Sequence, residues 1–397
     1  MRKSWILLLF VISFLSLGSF LSLDTRASNS PRIGVWITVF SPEEILNETQ
    51  NVDRFIEICK KSGITDVYLQ IYRANKAYYN SGITDKTFFD RIFASTRQDI
   101  LKYLLVEAKE NGIKVHAWIN LLSLAHNKDA SILKKYGNDI LSIDQYGRPA
   151  MPMNGKDELD EYYIRENQLF LEPGDKRVRK YLTSIAAEII KKYPGFSGLH
   201  LDYIRYPSVV PFVPGARFTS HGISYGYSDA NTKAFKKATG LDVKKMEHSR
   251  ENFLKWDEWR REQVSTLVRD ISKKTRKINP TLEISCAIVP SVDRTYLITF
   301  QDWTKWLKDK TADYVVAMNY TDDSRLMELQ TDSMILPDFS RKVHIGLGAY
   351  LLKNDPKKLE NQLKYLKKVS PVGIVLFSYD DIANNTRLQK FLKNNFT

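Results

Sequence analysis

The chain has 397 residues, of which 43% are hydrophobic, 12% aromatic and 26% charged, and its formal net charge is +13. This composition is typical of a globular protein with a large core and argues against a disordered chain. The basic residues are spread along helical stretches instead of forming one binding element, so we expect no nucleic-acid partner. We do expect an electrostatic attraction to anionic polymers or lipid head groups of the cell envelope.

The first residues have the pattern of a targeting segment. Arg2 and Lys3 precede an apolar run from Trp5 to Leu23, and Thr25-Arg26-Ala27 resembles a small-residue cleavage site. We therefore predict a signal peptide over residues 1–27 and a protein that is secreted or held in the periplasm or envelope. The apolar run is long, so an uncleaved membrane anchor is the alternative. No later segment is long and apolar enough to span a bilayer.

Short runs rich in β-branched and aromatic residues recur eight times after this segment, and helical patterns separate them. Strands that alternate with helices predict parallel pairing, and eight such units close a (β/α)8 TIM barrel. We predict one barrel domain over residues 28–397 and expect a monomer. The predicted strands are Arg32–Phe40, Asp66–Ala74, Lys114–Leu122, Gly198–Pro207, Glu283–Val289, Asp313–Tyr320, Lys342–Tyr350 and Gly373–Asp381.

The helical patterns are clearest at Val52–Ser62, Asp99–Asn111, Lys176–Lys192, Phe253–Lys277, Pro356–Val369 and Arg387–Asn394. The sequence Ser-Pro-Glu-Glu at residues 41–44 predicts a further helix N-terminus, with a cap and a first-turn proline. Long segments follow the third strand (residues 123–171) and the fourth strand (residues 208–229). Long loops at the C-terminal ends of barrel strands usually form the walls of the active site.

The fourth strand carries the most informative polar residues. Its leucines alternate with His200 and Asp202, so both polar side chains are predicted to point into the barrel. A buried carboxylate at the C-terminal end of a barrel strand is costly unless it is paired or used. Arg205 could pair with Asp202, and this structural reading stands beside the catalytic one.

Other strand ends carry aromatic and polar residues that would suit a carbohydrate, with rings for the sugar faces and polar groups for the hydroxyls. The predicted substrate-binding residues are Trp36, Tyr72, Arg73, Trp118, Asn120, His200, Arg205, Tyr206, Asn319, Tyr320, Tyr350 and Tyr379.

Four segments resemble the glycosyl hydrolase-like 10 family. They are Arg-Ile-Gly-Val-Trp-Ile-Thr (residues 32–38), His-Ala-Trp-Ile-Asn (116–120), Leu-Glu-Pro-Gly-Asp-Lys-Arg-Val-Arg (171–179) and His-Leu-Asp-Tyr-Ile-Arg-Tyr-Pro (200–207). The resemblance covers residues 32–381 and implies a bacterial envelope protein with a (β/α)8 barrel that acts on peptidoglycan glycan strands. Tyr72, Lys76 and Glu172 depart from the family, which usually has Arg, Asp and Asn at these positions, so the preferred substrate could differ.

The function predicted from these observations is hydrolysis of a cell-wall or extracellular polysaccharide. Glycosidic cleavage normally uses two carboxyl groups, and Asp202 is the first candidate. For the second we choose Asp322, directly after the sixth strand, and then Asp380 at the end of the eighth. Helix capping is the structural alternative for Asp322 and Asp323.

Two other functions remain open at this stage. One is a catalytically silent barrel that binds glycans, and the other is a metal-dependent hydrolase on the same fold. His116, His200 and His344 lie on separate strands without the spacing of a metal site, so we predict core histidines, no metal and no cofactor. Cys59 and Cys286 are predicted to be buried apolar residues, although a disulfide is open to them.

Overall fold

The structure, a computed structural model, describes residues 31–152, 163–210 and 222–397. The predicted signal segment, residues 1–27, therefore lies outside the described residues, and the first strand of the barrel begins after it at Arg32. Eight parallel strands each pair with the next, and the eighth pairs with the first, so the sheet closes into a barrel. The strands are β1 (Arg32–Ile37), β2 (Asp66–Arg73), β3 (Lys114–Asn120), β4 (Gly198–Asp202), β5 (Glu283–Ile288), β6 (Tyr314–Asn319), β7 (Val343–Gly348) and β8 (Gly373–Phe377).

Helices connect the strands and cover the outside of the barrel. They are α1 (Thr49–Ser62), α2 (Thr87–Thr96), α3 (Ile100–Glu110), α4 (Ser131–Tyr136), α5 (Lys176–Lys192), α6 (Asp229–Thr239), α7 (Arg250–Arg276), α8 (Val292–Leu297), α9 (Trp303–Lys308), α10 (Ser324–Met334), α11 (Pro356–Val369), α12 (Asp380–Ala383) and α13 (Thr386–Phe396). The predicted (β/α)8 barrel is thus confirmed, including the bounds of α5 and α11.

One predicted helix start was wrong. Residues 41–48 form consecutive turns, and the helix begins only at Thr49. The Ser41 hydroxyl accepts a hydrogen bond from the Glu43 amide, and the Ser41 carbonyl accepts one from the Glu44 amide. Glu44 then has a φ of 43°, which lies in the left-handed region and ends the helical turn. The cap-like sequence therefore forms a turn that brings the chain across the top of β1.

The barrel separates two kinds of core. Between strands and helices the packing is aliphatic, whereas the barrel interior is filled by rings, among them Trp36, Tyr68, Trp118 and Tyr314. Gly346 on β7 makes this possible, because a Cβ there would lie 2.7 Å from the Trp36 ring. The interior is therefore a packed core with no open channel along its axis.

The three histidines and two cysteines that were predicted to be core residues are all buried, the cysteines in the layer between strands and helices. His116, His200 and His344 are buried in the barrel interior, and both cysteines are buried and free. Within the described residues, no helix is both long and apolar enough to cross a membrane.

The long segments after β3 and β4 are tied to each other at the C-terminal end of the barrel. A short antiparallel pair within the first segment joins Ser123–Ala125 to Leu169–Phe170, and another joins Ile164–Arg165 of that segment to Val209–Val210 after β4. A further bridge links Asp144 to Tyr225. These pairings fix one side of the barrel mouth over Asp202.

Candidate active site

Asp202 is the last residue of β4, and its side chain is 7% exposed inside the barrel mouth. Its Oδ2 accepts a hydrogen bond of 3.0 Å from Trp118 Nε1, and its Oδ1 accepts one of 2.6 Å from the Tyr203 amide. Tyr203 has a φ of 50°, a left-handed conformation that costs a bulky residue on the order of 1 kcal/mol. The turn after β4 therefore folds the backbone back onto the carboxylate that ends the strand.

The electrostatic surroundings of Asp202 favour its protonated form. Burial raises its pKa, and the negative charge of Glu166 acts in the same direction. The hydrogen bonds from Tyr203 and Trp118 and the charge of Arg205 oppose this shift without reversing it. A raised pKa favours the protonated form that a general acid needs.

Arg205 does not pair with Asp202 as the sequence suggested. Its guanidinium forms two hydrogen bonds to Glu166, Nη1 to Oε1 at 2.6 Å and Nη2 to Oε2 at 3.1 Å. The Ser208 amide donates a third hydrogen bond to Glu166 Oε1. Burial opposes ionisation of Glu166, but the charge and hydrogen bonds of Arg205 outweigh it and lower the pKa of Glu166. Among the described residues, Asp202 is therefore left without a cationic partner in direct contact.

Four rings form an aromatic cup above Asp202, namely Trp118, Tyr320, Tyr350 and Phe377. Tyr320 stacks on Phe377 with centroids 5.5 Å apart and an angle of 29°, and Tyr350 meets Phe377 edge-on at 5.8 Å. Tyr350 is 43% exposed, so part of the cup faces solvent. Exposed ring faces beside the Asp202 carboxyl group form a surface that can stack against a sugar.

Trp36 and His200 lie beneath this cup and are fully buried. Trp36 Nε1 donates to His200 Nε2 at 3.1 Å, so His200 carries its proton on Nδ1 and donates it to Ser285 Oγ at 2.8 Å. Burial lowers the pKa of His200 well below its usual range, which keeps the ring neutral. Both residues form the floor of the site instead of its lining.

Tyr72 was placed in the barrel interior by strand alternation, and that placement was wrong. The pairing of β2 with β3 shifts register between Gln70 and Tyr72, which breaks the alternation. Tyr72 is buried in the outer core, where its hydroxyl accepts a hydrogen bond from Asn75. The bulge therefore turns this side chain away from the mouth.

Three further predicted residues are buried away from the cup. The Tyr206 hydroxyl donates a hydrogen bond to Glu172 Oε1 at 2.6 Å. The side-chain amide of Asn319 donates one to the Met327 carbonyl on α10. Tyr379 packs edge-on against Phe55 at 5.1 Å. All three are 1% exposed and connect strand ends to the surrounding helices and loops. β8 ends at Phe377, so the alternation that placed Tyr379 inward does not extend to it.

Asn120 and Arg73 lie at the edge of the site. Asn120 is in register with Asp202 on the neighbouring strand, and its Oδ1 accepts a hydrogen bond from Gln70 at 3.1 Å. Arg73 is half-buried and stacks over Phe40 at 4.7 Å, on the loop after β1. Asn120 is thus close to the acid, whereas Arg73 belongs to the rim.

The two candidates for the second carboxylate differ in their surroundings. Asp322 is exposed on the turn after β6, next to Asp323, which caps α10 by accepting hydrogen bonds from two amides. Asp380 is half-buried and accepts a hydrogen bond of 2.5 Å from Ser41 Oγ on the loop after β1. The capping alternative therefore holds for Asp323, while Asp322 remains available at the mouth.

Sequence reasoning missed two residues of the site. Phe377 lies at the centre of the aromatic cup, and it was passed over because a single phenylalanine in a strand usually belongs to the core. Glu166 lies in the long segment after β3, where no strand periodicity assigns a direction to a side chain. The motif that contains Arg205 was recognisable, but its partner 39 residues earlier was not.

In the part of the chain that the structure describes, no three His, Cys, Asp or Glu residues are grouped so that they could hold a metal ion. His116 instead contacts Asp66 Oδ1 through Nε2 at 3.0 Å, which agrees with its predicted place in the core. The metal-dependent alternative therefore has no donor set among these residues.

Comparison with known proteins agrees with this geometry. The chain is 23% identical over 373 residues to glycosyl hydrolase DigH of Escherichia coli K12, covering 85% of this chain and 77% of that protein. It is 21% identical to glycosyl hydrolase YngK of Bacillus subtilis, covering 86% of this chain and 65% of that protein. These relatives support a glycosidase-type function.

Solved structures share the fold. The glycoside hydrolase domain of PgaB (BpsB) from Bordetella bronchiseptica superposes with a TM-score of 0.65 at 13% identity, covering 92% of this chain and 99% of that one. α-L-Fucosidase isoenzyme 2 from Paenibacillus thiaminolyticus superposes with a TM-score of 0.58 at 12% identity, covering 92% and 49%. A family model for glycosyl hydrolase-like 10 matches residues 32–347, from β1 to the end of β7 and across the Asp202 motif. The chain therefore belongs to the glycosyl hydrolase-like 10 family.

Proposed function

We propose that this protein is a secreted or envelope-bound glycoside hydrolase that cleaves a cell-wall polysaccharide, with peptidoglycan glycan strands as the first substrate to test. The observation that carries the proposal is Asp202, a buried carboxyl with a raised pKa at the end of β4 beside an aromatic cup. The predicted targeting segment supports a substrate outside the cytoplasm, and relatives named as glycosyl hydrolases support cleavage of a glycan.

In this proposal Asp202 is the general acid. It donates its proton to the glycosidic oxygen as the bond from that oxygen to the anomeric carbon breaks. The proton is held by the raised pKa, and the hydrogen bonds from Trp118 and Tyr203 fix the direction of the carboxyl group. The rings of the aromatic cup bind the sugar beside the acid.

Asp322 is the proposed second carboxylate, with Asp380 as the alternative. Glu166 is a weaker candidate, because Arg205 occupies both of its oxygens and Ser208 shares one of them. Asp322 is exposed on the turn after β6, so its carboxyl group is within reach of water. It would take a proton from the water that attacks the anomeric carbon, while Asp202 gives its proton to the glycosidic oxygen. Proton exchange with solvent then returns both carboxyl groups to their starting states.

The test is digestion of purified peptidoglycan glycan strands, with and without stem peptides, followed by mass spectrometry of the products. The protein lacking residues 1–27 is compared with Asp202→Asn and with Asp338→Asn, a matched change at an exposed aspartate on the opposite end of the barrel. We expect Asp202→Asn to lower the rate by roughly 10²–10⁴, the usual contribution of a general acid, and Asp338→Asn to leave it unchanged.

Asp322→Asn and Asp380→Asn identify the second group, because only the true partner should approach the loss seen for Asp202→Asn. Full activity of a folded Asp202→Asn variant would refute the acid assignment. If no variant or wild-type sample yields fragments while the intact strands bind, the protein is a glycan-binding barrel and the proposed hydrolysis is wrong.

A further inference from the structure

The barrel end opposite the candidate active site is strongly basic. The strands are parallel, so the segments that lead into them all lie at this N-terminal end. We name the basic face by the segments 60–66, 107–114, 191–198, 273–283, 305–314, 338–343, 367–373 and 393–397. They contain eighteen Lys and Arg residues and seven Asp and Glu residues, an excess of eleven positive charges in a chain whose net charge is +13. Nearly all of the net charge is therefore on one face.

Hydrogen bonds between the segments hold them together as one surface. Lys60 Nζ donates to Asn111 Oδ1 at 2.9 Å, which joins the end of α1 to the end of α3. Arg276 donates to the Lys310 carbonyl at 2.6 Å and joins the end of α7 to the segment before β6. The end of α13 also lies here, since a Cβ on Gly63 would be 3.5 Å from the Lys393 side chain.

The negative charges of this face are largely neutralised, whereas many lysines are not. Glu283 contacts Lys114 and Arg32, and Asp313 pairs with Arg276. In contrast Lys273, Lys274 and Lys277 are exposed and form no ion pair with a described residue. The helix dipole favours a lysine at a helix C-terminus, and this accounts for each of these lysines taken individually. Their collection at one end creates a positive field over the whole face.

Part of the opposite end has the reverse charge. The segments 38–48, 320–323 and 378–381, which follow β1, β6 and β8, contain seven acidic residues and no Lys or Arg. A negatively charged surface would therefore attract the basic face and repel the mouth at these segments. Binding in this way would leave Asp202 and the aromatic cup open to a polymer on the far side.

We propose that the basic face docks on an anionic phospholipid bilayer, with the active-site mouth turned away from it. The chain before β1 connects to the barrel at this same face, because Arg32 opens the first strand there. The apolar run that ends at Leu23 is separated from Arg32 by residues 24–31, which can span at most about 28 Å. Ile278 stands among Lys273, Lys274 and Lys277 and is 40% exposed, a side chain suited to the head-group region.

The proposal is independent of the glycosidase activity and is tested without a sugar. All eight strands and their helices lie from Arg32 onwards, so the protein lacking residues 1–27 contains the complete barrel. It is sedimented with vesicles of phosphatidylcholine alone and with vesicles of equal parts phosphatidylcholine and phosphatidylglycerol. We expect binding only to the mixed vesicles, and weaker binding at about 0.1 M salt, where the screening length falls to about 10 Å.

The decisive variant is Lys273→Glu/Lys274→Glu/Lys277→Glu. Each lysine near an anionic bilayer contributes roughly a factor of five, so we expect about a hundredfold weaker binding to mixed vesicles. The matched control is Lys134→Glu/Lys135→Glu/Lys353→Glu, the same charge change on exposed lysines at the mouth side, which should leave binding within about twofold. A second pair on the basic face, Lys367→Glu/Lys368→Glu, should weaken binding about twentyfold. Circular dichroism and thermal unfolding check that each variant is folded.

Three outcomes would overturn the docking proposal. The wild type could fail to bind the mixed vesicles, or both triple variants could weaken binding equally, which would mean that only the total charge matters. A wild type that binds soluble polyphosphate but not the vesicles would assign the face to a polyanion instead of a bilayer. None of these outcomes bears on the glycan digestion, so failure of one proposal is separable from failure of the other.

Discussion

At the N-terminal end of the barrel interior, Asp66 is 2% exposed and receives hydrogen bonds from Arg32 and contact from His116. At the C-terminal end, Asp202 is 7% exposed and has no cation in direct contact within the part of the chain that the structure describes. Burial disfavours ionisation in both, but Arg32 and His116 reverse the effect and lower the pKa of Asp66, whereas the pKa of Asp202 is raised. The same residue type thus stabilises the barrel at one end and is prepared for proton transfer at the other.

The contrast teaches that burial alone does not identify a catalytic carboxylate. Asp66 belongs to a network that continues from His116 Nδ1 to the Tyr314 hydroxyl at 3.4 Å and from there to the Tyr68 hydroxyl at 3.1 Å. Among the residues that the structure describes, Asp202 has two neutral donors, and the backbone beside it is strained at Tyr203. The functional carboxyl group is distinguished by two features together: its burial is not compensated by a cation, and it lies next to an open surface.

The largest expected effect is on stability, and it separates the two aspartates. Asp66→Asn leaves Arg32 without its buried partner and should lower the free energy of unfolding by about 3 kcal/mol. Asp202→Asn loses one hydrogen bond but removes a poorly compensated acid, so the change should stay within about 1 kcal/mol. Urea unfolding at pH 7 measures both, and equal destabilisation by the two changes would remove the distinction.

The two aspartates should also differ in the sign of their pH dependence. The folded-state pKa of Asp66 is lowered, so its stabilisation is present above the unfolded value near 4 and is lost as pH falls towards the folded value. The folded-state pKa of Asp202 is raised, so its contribution is most favourable below about pH 4 and is lost as pH rises through the folded value.

Unfolding free energies measured from pH 2 to pH 7 test this difference. The Asp66→Asn variant should lose on the order of 2 kcal/mol less than wild type on acidification, because the group that must be protonated is gone. The Asp202→Asn variant should lose as much unfolding free energy on acidification as wild type does through Asp66. As the pH rises from about 4, its unfolding free energy should increase relative to that of wild type. An unchanged acid slope in Asp66→Asn would contradict the assignment of the network.

A change at Glu166 should alter the active end without unfolding the protein. Glu166→Gln removes a negative charge that raises the pKa of Asp202 and leaves the positive charge of Arg205 uncompensated. The limb of the pH–rate profile that reports the acid should move to lower pH, with kcat reduced by about tenfold. Kinetics across pH measure this, and a lower kcat with an unmoved profile would make Glu166 purely structural.

The smallest effect is expected from the rim of the aromatic cup. Tyr350→Ala removes a ring that is 43% exposed and should raise KM by about fivefold through lost contact with the sugar, with little effect on stability. Phe93→Ala, at a ring on α2 that is 42% exposed, is the matched control and should leave KM unchanged. Equal effects of the two substitutions would argue against a sugar-binding role for the cup.

The sequence alone determined the barrel and the position of Asp202. Alternating strand and helix patterns are local, because each follows from the spacing of apolar residues within a few turns or strand positions. Eight such units commonly close into a barrel. Asp202 is the last residue of one of the strands, and its side chain is predicted to point into the barrel. The family resemblance was likewise visible in short contiguous stretches, and so was the pattern that predicts a targeting segment.

Only the tertiary structure decided which side chains meet Asp202. The pairing of Arg205 with Glu166 joins residues that are far apart in sequence and lie on two long loops, where no periodicity predicts direction. Tyr72 faces the outer core because of a bulge in strand pairing, and Asn319 faces α10 because it alternates with the inward-facing Met318 and Tyr320. The contacts of residues at strand ends depend on strand register and on loop packing. A register shift of one residue reverses the face to which a side chain points, so these contacts are decided only when the whole fold has formed.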